Sequence, residues 1–215
     1  MTILLKELKD AFKNLHGDIP IPQEIELLYQ WIEKNGLIET HNSVSADTDV
    51  YHYGRISADY EFNPDITFTI KGQQAIKYWF NLPEVTNEIA SRLVVFAESG
   101  SDGSLLAFWL NDNNELKFVH MGSGSGSMLC CIIANNAKEF ISLLSIGYNE
   151  LNDDFDFSLP PEEININHKF VEWLEKSLGI KRPHDAGNII KEKAIIGDEN
   201  TNDPFCLWCN KQFPQ

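Results

Sequence analysis

Residues 93–144 constrain the fold of this chain more than any other stretch. Four apolar runs, 93–97, 104–110, 115–121 and 128–134, are cut apart by Glu98-Ser99-Gly100-Ser101-Asp102-Gly103, Asn111-Asp112-Asn113-Asn114 and Gly122-Ser-Gly-Ser-Gly-Ser127. Gly, Asn, Asp and Ser tolerate the backbone angles of tight turns, so short apolar runs punctuated by them read as hairpin-connected strands. An antiparallel meander is the simplest arrangement. Its last run leads into Asn135-Asn136, where either residue is a candidate N-cap, and Glu139 suits the first turn of a helix. Phe140, Leu143 and Leu144 then share one helical face, which predicts a helix lying on the sheet.

The flanks add helices. Leu4, Leu5, Leu8, Phe12 and Leu15 form one stripe, and Ile25, Leu28, Trp31 and Ile32 another, after the extended Ile19-Pro20-Ile21-Pro22 link and before the stop at Asn35-Gly36. Between 41 and 63 only 50–56 looks strand-like. Within it, Tyr51-His52-Tyr53 fits packing or edge shielding better than ligand binding. Residues 66–70 alternate as a strand, and short helices are expected at 73–80 and 83–92. Beyond the central stretch, 147–167 is an acidic connection holding Glu150, Asp153, Asp154, Asp156, Glu162 and Glu163 with no Lys or Arg. Helices are then predicted around Phe170–Leu178 and at 185–196, and a tail with Phe205, Leu207, Trp208 and Phe213 should dock on the domain. The expected organisation is one α+β domain over 1–215: a core at 1–146, the acidic connection at 147–167, and a C-terminal helical extension at 168–215.

Seventeen basic against 32 acidic residues leave a net charge of −15, which disfavours nucleic acid and anionic membranes as partners and favours a basic protein. No uncharged run approaches membrane-spanning length, and Lys6, Glu7, Lys9 and Asp10 interrupt the start too early for a signal peptide. The four cysteines stand as Cys130-Cys131 and Cys206-x-x-Cys209, unlike a disulfide framework, so a reducing cytoplasm is the expected compartment.

Three motifs invite chemistry. The Gly/Ser hexapeptide reads as a flexible turn and not a phosphate loop, because a strand-like run follows it in place of a helix N-terminus with Gly-Lys-Ser/Thr. It nearly matches a Gly-x-Ser-x-Gly elbow but again lacks the helix, and no base stands out among six histidines. Cys206-x-x-Cys209 has metal or redox spacing, yet structural zinc needs four ligands and no second pair accompanies it; the surrounding Phe205, Leu207 and Trp208 point to burial. No catalytic residue, metal or cofactor is assigned.

The order of features resembles the SUKH superfamily, named for fungal glucan-synthesis regulators of the Smi and Knr type. The residues that carry the likeness are Pro20-Ile-Pro22-x-x-Ile25-x-x-Leu28 with Asn35-Gly36, the hairpin Phe96-Ala97-Glu98-Ser99-Gly100-Ser101-Asp102-Gly103-Ser104-x-x-Ala107-Phe108-Trp109, and Val119-His120-Met121-Gly122-Ser123. It extends through Ala134-Asn135-Asn136-Ala137-Lys138-Glu139-Phe140-Ile141-x-x-Leu144 and Phe170-Val171-x-Trp173-Leu174 to Gly179-Ile180, Pro183-x-Asp185, Phe205 and Trp208. The segment 41–65 and the Gly/Ser repeat are longer than the family's pattern. The resemblance implies a mostly antiparallel sheet with helices packed on it. It also implies either a bacterial immunity protein that neutralises a toxin, often a nuclease, or a regulatory scaffold in fungal cell-wall signalling. The family has no agreed catalytic residues; a small hydrolase or thiol enzyme using Cys206 and Cys209 is the remaining reading.

A non-catalytic binding module is therefore expected, monomeric or weakly dimeric, meeting a basic toxin domain through carboxylates. The candidate partner-binding residues are Glu98 and Asp102 at one sheet-end turn, Asp112 at another, and Asp153, Asp154 and Asp156 on the acidic connection. Trp109 is the candidate aromatic anchor, with a core position the equal alternative.

Overall fold

The turn clusters of the central stretch do close hairpins. In the computed structural model, which describes residues 3–42, 50–58, 66–161 and 166–214, seven strands form one antiparallel sheet in the order of the chain. They are β1 (Ile38–Asn42), β2 (Val50–Gly54), β3 (Ile66–Phe68), β4 (Leu93–Ser99), β5 (Ser104–Leu110), β6 (Leu116–Met121) and β7 (Cys130–Ala134). Gly100 and Gly103 take positive φ, +79° and +91°, in the β4–β5 turn, where an L side chain is disfavoured.

Both faces of the sheet are covered, which explains why β4 and β5 read as nearly continuous apolar runs instead of alternating. Phe108 and Trp109, adjacent on β5, point to opposite faces. Phe108 meets Phe12 of helix α1 (Ile3–Phe12), with ring centroids 4.9 Å apart. On the same face Tyr29 of α2 (Gln23–Lys34) packs on Phe68, and Phe140 of α5 (Ala137–Ile146) stacks on Phe118 at 4.8 Å. A bulge between Val95 and Ala97 places Phe96 at the centre of this layer, against Phe68, Phe108, Phe118 and Phe140. The helices approach closely because β2 ends in Gly54: a Cβ there would lie 2.6 Å from Leu4 Cδ1.

On the other face lie a 3₁₀ turn (Lys71–Ala75), α3 (Ile76–Trp79) and α7 (Pro204–Gln212), with Phe205 and Trp208 of α7 packed on Trp109 at 5.4 and 5.8 Å. The short α4 (Asn87–Ala90) precedes β4. Helix α6 (His168–Leu178) sits on α2, where Trp31 packs against Phe170 and Trp173, so the expected inward Trp31 is half-buried between two helices.

Local chemistry accounts for the helix ends. Asn136 caps α5 by accepting from Glu139 N–H, while the Glu139 carboxylate reaches back past the cap to accept from Asn135 N–H at 2.9 Å, a close relative of the capping box. Gly147 and Gly179 end α5 and α6 with positive φ.

Several elements differ from expectation. β1, to which no element was assigned, is a strand because it pairs with β2 over its whole length, and the helix expected over 83–92 is confined to Asn87–Ala90. The strand expected over 66–70 ends at Phe68, and the helix expected over 73–80 starts as the 3₁₀ turn at Lys71. The helix expected over 185–196 is a single turn followed by extended chain. Leu129 bridges Ile195, Cys130 N–H donates to Ala194 O and Ile196 N–H to Met128 O. The sheet-edge amides of β7 need partners, and this requirement overrides the helical pattern of the segment. Residues 43–49 and 59–65 of the long 41–65 segment, together with Glu162 and Glu163, lie outside the described residues.

Candidate functional site

The sheet has two ends, and they divide the candidate carboxylates. The β5–β6 turn carries Asp112 at one end, where it pairs with Arg92 at 2.5 Å. The β4–β5 turn and the Gly/Ser loop between β6 and β7 lie at the other end, with Asp102, and residues 152–153 of the acidic connection pack onto that loop. Asp112 is thus separated from the rest. Glu98, half-buried near the end of β4, lies close to Lys71, whose ammonium is favoured first by the Tyr53 hydroxyl and also by Glu98.

Asp102 and Asp153 are brought together by the Gly/Ser loop, which is not a free turn. Asp102 accepts from Ser104 N–H and Oγ–H and from Ser123 Oγ–H, all within 2.9 Å. Ser123 Oγ in turn accepts from Ser125 and Gly126 N–H. Asp153 accepts from Met128 N–H at 2.7 Å and Ser127 Oγ–H at 3.2 Å, and Asn152 donates to Gly126 O. A Cβ on Gly126 would fall 2.4 Å from Asp102 Cβ, so the contact needs glycine. Partial burial opposes the charge on Asp102 and on Asp153, but these donors outweigh it and hold both carboxyls below the usual range. Both carboxylates therefore act as internal acceptors that rigidify this end of the sheet.

Of the two expectations for Trp109, the anchor is overturned and the core position holds: it is 2% exposed, under α7. A partner cannot reach it. Nothing within residues 104–110 announces this, because the element that covers Trp109 lies at the far end of the chain.

Beside the rigid end, the exposed Asp154 and Asp156 face outward. Asp156 Oδ1 accepts from Ser158 N–H and Oγ–H, and the Ser158 hydroxyl holds the carboxyl below its ordinary value. They line a groove of about 580 Å³ with Tyr148, Phe155, Leu159 and Pro160. Tyr148 stacks on Phe155, at 6.3 Å between centroids and 22° between planes, and donates its hydroxyl to Leu159 O at 2.8 Å. Lys193 is tied to the main-chain carbonyls of Asp153 and Phe155 behind this segment.

Two buried polar groups escaped sequence reasoning. His120, fully buried on β6, donates Nδ1–H to Leu129 O at 2.9 Å, and its Nε2 finds no partner among the described residues. Burial pushes its pKa down to about 4, against the opposing hydrogen bond to Leu129 and the charges of Asp102 and Asp153. Asp203 caps α7 through Cys206 N–H at 2.8 Å and also accepts from Ile132 N–H at 2.9 Å, closing part of the β7 edge. A position just before Pro204 was the only signal that it would cap a helix.

Cys206 and Cys209 face Cys130 beneath α7, and all three are fully buried. The neighbouring Cys130 thiol and burial push Cys206 up, and burial does the same to Cys209; the Asp203 charge adds to both. These are protonated packing thiols, since a reactive thiolate requires the opposite, electropositive setting. Among the described residues, no three His, Cys, Asp or Glu side chains are placed to hold a metal ion, and no helix is long and apolar enough to cross a membrane.

Comparison of the chain with protein-family models, with curated proteins and with solved structures returns no match.

Proposed function

We propose that this chain is a non-catalytic protein-binding module of the SUKH type that works in the cytoplasm as an immunity protein, occluding a basic toxin domain. The observation that carries the reading is the division of labour at one end of the sheet. Asp102 and Asp153 are locked by internal donors and make a rigid platform, while Asp154 and Asp156 beside them project into solvent on a chain of net charge −15. A fixed acidic surface attracts a basic partner over long range, speeds encounter and makes association salt-sensitive. A nuclease toxin exposes basic residues to hold phosphates, so carboxylates held in place are suited to compete for them. The sequence resemblance to SUKH proteins supports the same reading.

The test is affinity capture from the source cells with the full chain as bait. A basic protein retained at about 50 mM salt and released at about 300 mM is expected, with retention lost when Asp154 and Asp156 are both replaced by Lys. Recovery of no basic partner, or of one indifferent to the charge reversal, would sink the proposal.

A further inference from the structure

The groove beside the rigid end has a chemistry of its own. Its wall is aromatic and apolar: Tyr148 and Phe155 are stacked on each other, Phe157 braces Tyr148 from within at 5.7 Å, and Pro160 continues the wall. Leu159 stands at the rim 57% exposed, an unusual position for a large apolar side chain. Among the described residues, the charged groups that line the groove are both carboxylates, Asp154 and Asp156. The Asp154 carboxylate makes no hydrogen bond to the described residues, and Asp156 uses one oxygen, Oδ1, for Ser158, leaving Oδ2. Two basic side chains near this segment are held by main-chain carbonyls, although the Lys193 charge still reaches Asp156 and favours its ionised form. Lys193 is bound to the carbonyls of Asp153 and Phe155, and Arg182 to those of Ser145 and Ile146 at the end of α5.

An anion would meet two negative charges here. A purely apolar occupant would strip water from two carboxylates without replacing their partners. The occupant that satisfies both wall and rim is a cation with an apolar stem. Between the two basic side chains, arginine fits better: its guanidinium is flat, weakly hydrated and able to lie along aromatic surface while donating to carboxylates in pairs.

We propose that the 148–161 groove is the docking point for an arginine side chain of the partner protein, flanked there by an apolar residue that covers Leu159. The groove volume, about 580 Å³, leaves ample room for a side chain of this size. This inference rests on the binding-module reading and names the part of the partner that the acidic end would hold.

The experiment is an NMR titration of the ¹⁵N-labelled full chain with the capped peptide acetyl-Leu-Arg-Leu-amide. The same peptide with citrulline, neutral and nearly isosteric, and with lysine are the comparison arms. Saturable amide shifts confined to 148–161 are expected with arginine, weaker ones with lysine and none with citrulline. The Asp154→Asn/Asp156→Asn double variant should bind the arginine peptide about tenfold more weakly. The side-chain amide introduced at position 156 keeps an oxygen for Ser158, and the unchanged spectrum of the free variant verifies that it is folded. Equal shifts with citrulline, shifts centred elsewhere, or no saturable shift would overturn the proposal. Affinity capture separates the two readings. A basic partner still held by the double variant, with no arginine-dependent shifts, removes the groove and leaves the module. Arginine binding as expected, with no basic partner captured, removes the module and leaves the groove.

Discussion

Replacing His120 by Gln tests the claim that a neutral, buried imidazole makes this fold sensitive to mild acid. In the folded protein burial lowers the His120 pKa from 6.5 to about 4, so between those values the unfolded chain binds a proton that the native state refuses. Stability from this group is fully present above pH 6.5 and is lost as pH falls through that window. Going from pH 7 to pH 5 should cost about 2 kcal/mol, from 1.36 kcal/mol per pKa unit over the part of the shift that this interval spans. For a chain of this size that is a fall in Tm of about 4–8 °C. Asp203, whose carboxyl is raised by burial, acts in the opposite direction, so the informative quantity is wild type minus variant. Urea unfolding at pH 7 and pH 5 supplies it. The variant keeps an N–H donor for Leu129 O but cannot titrate, so its stability should lose about 2 kcal/mol less over the interval than the wild type. Equal losses in both proteins would refute the argument, because the acid sensitivity would then reside in other groups.

Other consequences follow from packing and capping. Trp109→Ala should destabilise by about 3–5 kcal/mol in urea unfolding, because it empties the space under Phe205 and Trp208. Asp203→Ala removes a helix cap and the acceptor for Ile132 N–H together; a loss of about 2–3 kcal/mol is expected by the same measurement, with Asp203→Asn much milder. Native protein treated with iodoacetamide at pH 8 should show none of its four cysteines alkylated by intact mass, and all four after denaturation in urea; rapid labelling of Cys206 in the native state would contradict its buried, protonated character.

The sheet-and-helix plan was legible because it follows from local rules. Turn residues at 98–103, 111–114 and 122–127 interrupt apolar runs, and Asn136 with Glu139 writes a helix start within four residues. The site was legible only in part. The acidic residues of the connection are plain in composition, but nothing local says that Asp102 and Asp153 turn inward to serine hydroxyls and main-chain amides while Asp154 and Asp156 remain outside. Nor does sequence show that Tyr148 and Phe155 stack into a groove wall, since that contact depends on how the connection folds back.

By itself the sequence determined the fold class, the strand order of the central meander and the net acidity, because periodicity, turn chemistry and charge are local or additive properties. Tertiary structure alone decided that Trp109 is core, that residues 194–196 and Asp203 close the β7 edge where a helix was expected, and that His120 is buried and neutral. Each depends on a segment distant in sequence arriving to cover a surface or accept a hydrogen bond, and the requirement to bury apolar area and pair every backbone amide acts on the assembled molecule.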